Sequence, residues 1–194
     1  MKNDSKIRTF IAIEIPETIQ KKIGELQNSL KAFGARISWT RSANIHLTLK
    51  FLGDTEAAII DEIAARLQLA VANLPEFKIA VNGTGAFPNF KRPRVIWIGA
   101  ASEGDQLQTL AARVDECMEN FGFETEKRHY SAHLTLGRVK DVSAIEPLMA
   151  KLKSYENFQA GSFNATNFHL IKSELHPAGS IYSRLKTITL HQGN

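Results

Sequence analysis

The chain has 194 residues, with 24 lysines and arginines against 20 acids, a formal net charge of +4, and 43% apolar and 23% charged residues. This is an ordinary globular composition, long enough for one sizeable domain or two small lobes with a real core, and mildly favourable to anionic partners. No apolar run is long enough to span a membrane, and the single Cys117 excludes an intramolecular disulfide, which fits a cytoplasmic location. Cys117 falls in a helical pattern and is expected simply to pack. The polar start Met1-Lys2-Asn3-Asp4-Ser5-Lys6, and the alternating segment after it with Glu14 inside, do not form a signal-peptide core.

Residues Arg8 to Ile15 alternate and predict a strand; Pro16 suits the first turn of a helix. Ile19, Ile23, Leu26, Leu30 and Phe33 then fall on one helical face, and Gly34 ends it. A short strand near Ile37 to Thr40 leads into a longer one that starts at His46 and runs to Leu52. Gly53-Asp54-Thr55 reads as a turn and helix start. Ile60, Ile63, Leu67, Val71 and Leu74 mark a second helix closed by Pro75. Phe77 to Phe87 is a strand bent at Gly83 and Gly85, followed by the basic loop Asn89-Phe90-Lys91-Arg92-Pro93.

The pattern then restarts. Arg94 to Gly99 is a strand. Leu107, Leu110, Val114, Met118 and Phe121 mark a helix that has Ser102 and Asp105 as a capping pair and Gly122 as its stop. A strand from His133 follows, then Ser143-x-x-Glu146 as a capping box for a helix bearing Ile145, Leu148 and Leu152. Phe163 to Leu175 is extended, and Ile181 to Leu190 is a last strand. The separations agree between halves: Gly34 to His46 is 12 and Gly122 to His133 is 11; Arg8 to His46 is 38 and Arg94 to His133 is 39; His46 to Phe77 is 31 and His133 to Phe163 is 30. This is an internal duplication with a period of 87 residues, too long for a solenoid and right for two similar lobes. The expected architecture is α+β and bilobal, with two antiparallel sheets flanking a central cleft and helices on the outer faces. The whole chain, 1–194, reads as a single domain, with repeat units of roughly 8–90 and 94–190.

The strands at His46 and His133 begin with the same tetrapeptide, His46-Leu47-Thr48-Leu49 and His133-Leu134-Thr135-Leu136. On a strand, His and Thr at i and i+2 share a face while the leucines point to the core. Two such pairs facing each other make a symmetric site for a tetrahedral anion, with imidazoles to move protons and hydroxyls to hold oxygens. Neither motif contains a second histidine, cysteine or acid, so a metal site is not expected, nor is a nucleophilic triad. Histidine titrates near neutrality, so one ring can act as base and the other as acid in an in-line displacement at phosphorus. Symmetry alone does not say which is which. Strict alternation from His133 points Arg138 to the opposite face, unless Gly137 permits a bulge that returns it to the phosphate. Lys50 is in phase with His46 and Thr48, which sends it along the cleft or into solvent. Phe10 either lines the cleft and stacks on a base or packs in the core, and Lys91, Arg92 and Arg94 either contact a nucleic-acid backbone or are solvated.

At these residues the chain resembles the two-histidine (2H) phosphoesterase superfamily and, within it, the RNA 2′,3′-cyclic phosphodiesterases, also called 2′-5′ RNA ligases. The likeness runs through Phe10-x-Ala12-x-x-x-Pro16, Asn44-x-His46-Leu47-Thr48-Leu49-Lys50-Phe51-Leu52-Gly53, Phe87-Pro88 and Arg94-Val95-x-Trp97. It continues through Arg128-x-Tyr130-x-x-His133-Leu134-Thr135-Leu136-Gly137-Arg138, Ser173-x-Leu175 and Gly179-x-x-Tyr182. Ala132 departs from the proline common before the second histidine. The resemblance implies metal-independent opening of an RNA terminal 2′,3′-cyclic phosphate to a 2′-phosphomonoester, with no cofactor. His46 is then the proton donor and His133 the proton acceptor, with Thr48, Thr135 and Arg138 on the phosphate and Phe10 on the substrate. It also implies RNA ends as partners, no membrane, and reverse 2′-5′ ligation at the same site; the internal pseudo-dimer favours a monomer. The rival is a 2H esterase for a small cyclic nucleotide or an ADP-ribose-type cyclic phosphate.

Overall fold

The computed structural model describes residues 6–177 and 179–191. Met1–Ser5, part of the polar start, lies outside the described residues. Nine strands and four helices are described: β1 (Lys6–Glu14), α1 (Glu17–Lys31), β2 (Ile37–Trp39), β3 (His46–Glu56), α2 (Ile60–Ala70), β4 (Phe77–Phe87), β5 (Val95–Ser102), α3 (Gln106–Glu119), β6 (His133–Val139), α4 (Glu146–Lys153), β7 (Gln159–Ala165), β8 (Asn167–Glu174) and β9 (Ile181–Thr189).

The strands form two antiparallel sheets, ordered β3-β1-β8-β9 and β2-β6-β5-β4-β7. The order β3-β1-β8 in the first is matched by β6-β5-β4 in the second, which is the duplication expressed as topology. Each sheet draws on both halves of the chain: β4 crosses to the second, β8 and β9 return to the first. The leucines and isoleucines predicted to face inward do so, and α1 to α4 cover that side. Helices α1 and α4 lie on β7 and β4, and α2 and α3 on β9 and β3.

Several local expectations change. Pro16 sits just before α1, at its N-cap position. Gly53-Asp54-Thr55 is not a turn: β3 continues to Glu56, and Gly53 takes a positive φ of 71° where the pairing with β1 slips. Helix α2 ends at Ala70, before Pro75, although Val71 and Leu74 stay buried in the turn. Ser102 does cap α3, its Oγ accepting from Leu107 N–H at 2.8 Å, but Asp105 is in a left-handed conformation and makes no capping bond. The box at Ser143 and Glu146 does not form; Asp141 Oδ1 takes the Ser143 N–H instead, and no side chain caps α4. The extended stretch from Phe163 to Leu175 breaks at Thr166 into β7 and β8, which belong to different sheets. Consequently the place equivalent to β4 is held by β8, not by the strand at Phe163.

Close packing is sharpest where Trp97 lies over Gly85, its cross-strand partner. A Cβ at Gly85 would fall 2.2 Å from the indole. The chain there has no room for any side chain. Gly85→Ala is therefore expected to destabilise the fold by about 1–3 kcal/mol through overpacking, read as a lower urea midpoint at unchanged slope.

Candidate active site

Both motif strands deliver the predicted alternation. His46 and Thr48 are half-buried on the open face of β3, while Leu47 and Leu49 are buried behind; His133, Thr135, Leu134 and Leu136 repeat this on β6. A cleft of about 530 Å³ is lined by His46 and Thr48 from one strand and Thr135 and Arg138 from the other. His133 is not part of that lining; it lies two residues before Thr135 on the same face.

Each histidine is oriented in the same way. His46 Nδ1 lies 2.8 Å from the carbonyl of Asn44, and His133 Nδ1 lies 2.7 Å from the carbonyl of Ser131. A carbonyl only accepts, so each Nδ1 carries the proton and each Nε2 is left to work. Asn44 is itself anchored, its Nδ2 donating to Ser180 O at 2.7 Å.

The surroundings of the two rings differ. Phe10 packs 4.6 Å from the His46 ring, and the edge of Tyr182 lies 5.3 Å away. His133 instead meets Phe87 edge-on at 4.9 Å and Trp97 at 6.4 Å. Burial pushes the His46 pKa below the ordinary histidine value, opposed by its bond to Asn44 and by the charge of Glu14. Glu14 is the cross-strand partner of His46; it is ion-paired with Arg184, and the Nε2 of buried His169 is 3.9 Å from it.

The fifth residue after each histidine depends on a slip in strand pairing. In β6, Ile96 pairs with Gly137 but Trp97 pairs with Thr135, so Leu136 is an extra residue. Leu136 and Gly137 are consecutively buried, and Arg138 returns to the cleft, as a bulge at Gly137 allows. In β3, Ile11 pairs with Lys50 and Ala12 with Thr48, so Leu49 is extra in the same way. That slip takes Lys50 out of the cleft. It is 3% exposed, ion-paired with Asp115 of α3, and donates to Glu124 O at 2.7 Å. Neither the cleft nor the solvent expected from strict alternation is where it goes.

The same slip turns Phe51 into the cleft, 61% exposed. Phe10, expected on the substrate, lines the cleft but is only 3% exposed, packed against the His46 ring. The exposed ring is therefore Phe51, which alternation had hidden. Its signal in the sequence is position: it stands to His46 as Arg138 stands to His133. Arg8, Ser173 and the 75% exposed Leu175 complete the wall around it. Lys91, Arg92 and Arg94 are exposed. Cys117 is buried, as its helical pattern predicts. Among the described residues, no group of three or more His, Cys, Asp or Glu is gathered to hold a metal ion, and no helix is long and apolar enough to cross a membrane.

Both halves of the chain, residues 13–97 and 98–182, match the model of the LigT-like phosphoesterases, and the chain belongs to that family. It is 37% identical over 180 residues to the RNA 2′,3′-cyclic phosphodiesterase of Methanocaldococcus jannaschii, covering 93% of this chain and 99% of that one. It is 31% identical over 185 residues to the protein of the same name from Methanothermobacter thermautotrophicus, covering 95% and 100%. Among solved structures, TT0787 of Thermus thermophilus superposes with a TM-score of 0.80 at 25% identity, covering 97% of this chain and 100% of that one.

The desolvated ring makes a measurable claim. In the free protein, NMR titration is expected to place the His46 pKa below the ordinary 6.5, and inorganic phosphate to raise it, since an anion beside the ring favours the charged form. A value at or above 6.5 without phosphate contradicts the environment described.

Proposed function

We propose that this chain is an RNA 2′,3′-cyclic phosphodiesterase that opens the terminal cyclic phosphate to a 2′-phosphomonoester, with His46 as proton donor and His133 as proton acceptor. The observation that carries this is one Nδ1-anchored histidine on each motif strand, with His46, Thr48, Thr135 and Arg138 lining one cleft and His133 on the same face of β6 as Thr135. The names of the relatives support RNA as the substrate over the small cyclic nucleotide.

In this mechanism His133 Nε2 takes a proton from water as the water attacks phosphorus. His46 Nε2 gives a proton to the departing 3′ oxygen on the opposite side. The Thr48 and Thr135 hydroxyls and the Arg138 guanidinium hold the non-bridging oxygens, where charge accumulates in the transition state. Phe51 and Leu175 receive the terminal nucleoside, and Phe10 holds the His46 ring from below. Run backwards with a 5′-hydroxyl in place of water, the same groups form a 2′-5′ linkage. The protein acts as a monomer in the cytoplasm, without a metal.

The depressed pKa of His46 has a kinetic meaning. At neutral pH the free protein holds it largely neutral, so it takes up its proton as the phosphate anion binds. Loss of that proton defines the alkaline limb of the rate profile. The limb is therefore expected at higher pH in kcat, which reports the complex, than in kcat/KM, which reports the free protein.

The direct test is a short RNA ending in a 2′,3′-cyclic phosphate, incubated in excess chelator and followed by phosphorus NMR. The expected product is the 2′-phosphate at an undiminished rate, and His46→Ala and His133→Ala each lower the rate by about 10²–10⁴. A 3′-phosphate product would reverse the leaving group, and a chelator-sensitive rate would require a metal. Phe51→Ala is expected to raise KM with little change in kcat, by the roughly 1–3 kcal/mol of one base–aromatic stack.

A further inference from the structure

We infer that Gln27 is a positioning residue, whose buried amide locks the bulge in β6 that turns Arg138 into the cleft. This rests on the proposed role of Arg138 at the phosphate.

Helix α1 faces the core with Ile19, Ile23, Leu26 and Leu30, and Gln27 stands among them, 1% exposed. Its Nε2 donates two hydrogen bonds, to Thr40 O at 2.8 Å and to Leu136 O at 2.8 Å. Leu136 is the extra residue of the slip. Its carbonyl also accepts from Thr40 N–H at 3.0 Å, so one amide grips both chain segments at the point where β6 leaves its regular pairing. The next residue, Gly137, has no room for a side chain: a Cβ there would lie 2.6 Å from Ile37 Cγ2 and 3.2 Å from Ser38 O. Thr40 and Arg138 both line the cleft, and Gln27 does not. The glutamine thus acts from behind the wall, on the backbone that sets the direction of Arg138.

The other motif carries an independent parallel. The slip in β3 is held by Tyr130, whose hydroxyl donates to Thr48 O at 2.7 Å, and by Lys50 reaching Glu124 O. Burial pushes the Tyr130 phenol well above its usual range, so it stays a donor. Each bulge is therefore met by a polar side chain from the opposite half of the chain, Gln27 buried and Tyr130 half-buried. A strand bulge leaves backbone groups without their ladder partners, and burial makes supplying those partners obligatory. Leucine at position 27 would fill the same space but leave the Thr40 carbonyl unpaired, freeing the segment beside Arg138.

The experiment compares wild type, Gln27→Leu, Arg138→Ala and the double variant on the cyclic-phosphate RNA, with folding checked by circular dichroism. Gln27→Leu is expected to lower kcat/KM by on the order of 10- to 100-fold, the scale of a small misplacement of a catalytic group. In the Arg138→Ala background the same change is expected to cost less than about twofold, because its effect passes through the arginine. Phosphate affinity, read from the histidine resonances, should show the same coupling without turnover. If Gln27→Leu does not fold, Gln27→Glu keeps the size and loses donors when ionised, so its activity relative to wild type should rise as pH falls. An equal loss in both backgrounds, or wild-type kinetics in Gln27→Leu, overturns the inference while leaving the phosphodiesterase intact. A wild-type protein inert on the RNA would instead overturn the function, and the phosphate coupling would still decide the role of Gln27.

Discussion

Strand parity is the constraint on which this active site depends. On each motif strand the threonine and the fifth residue after the histidine both line the cleft, yet the fifth residue is an odd step from the histidine. Alternation sends it to the wrong side. The chain solves this twice by the same means, inserting Leu49 into β3 and Leu136 into β6 so that two consecutive residues turn inward. Everything near the cleft follows. Lys50 and Gly137 occupy the inward place, one neutralised by Asp115 and one reduced to a bare backbone, while Phe51 and Arg138 occupy the outward place.

The duplication makes the motifs equal, and the packing then makes them different. His46 sits on Phe10 against Tyr182, with the Glu14–Arg184 pair beside it. His133 sits between Phe87 and Trp97, where the space over Gly85 is taken by the indole. Two rings with the same hydrogen bond to a carbonyl two residues upstream thus sit in different surroundings, and burial lowers the pKa of His46. The fifth positions differ too, an aromatic ring on one side and a guanidinium on the other, so a cleft with two-fold ancestry has unlike walls.

Much of this was legible in the residues. The repeated tetrapeptide, the helix stops at Gly34 and Gly122 and the alternation of Phe77 to Phe87 gave the elements and the shared face of each His-Thr pair, because hydrophobic period and turn chemistry are local. The slips were harder. Gly137 announced one bulge, since only glycine fits against Ile37, but Lys50 in the equivalent place announced nothing: a lysine ordinarily seeks water, and its partner Asp115 is remote in sequence. Phe10 was left between cleft and core, because an aromatic on an alternating strand faces a cleft or a floor according to what stands above it; here it lines the cleft while packed against His46. The break at Thr166 was invisible because β7 and β8 are both extended, and which sheet a strand joins is decided by distant partners.

Those distant partners also govern how the molecule comes together. Thr9 of β1 pairs with Lys172 of β8, so the first sheet cannot close until almost the whole chain exists, and β4 must leave its own half to complete the second. Contacts of such long sequence separation are entropically expensive to form early and slow the search for the native state. Two lobes that look modular in sequence therefore exchange strands, and neither half of the chain holds all the partners that its own strands pair with.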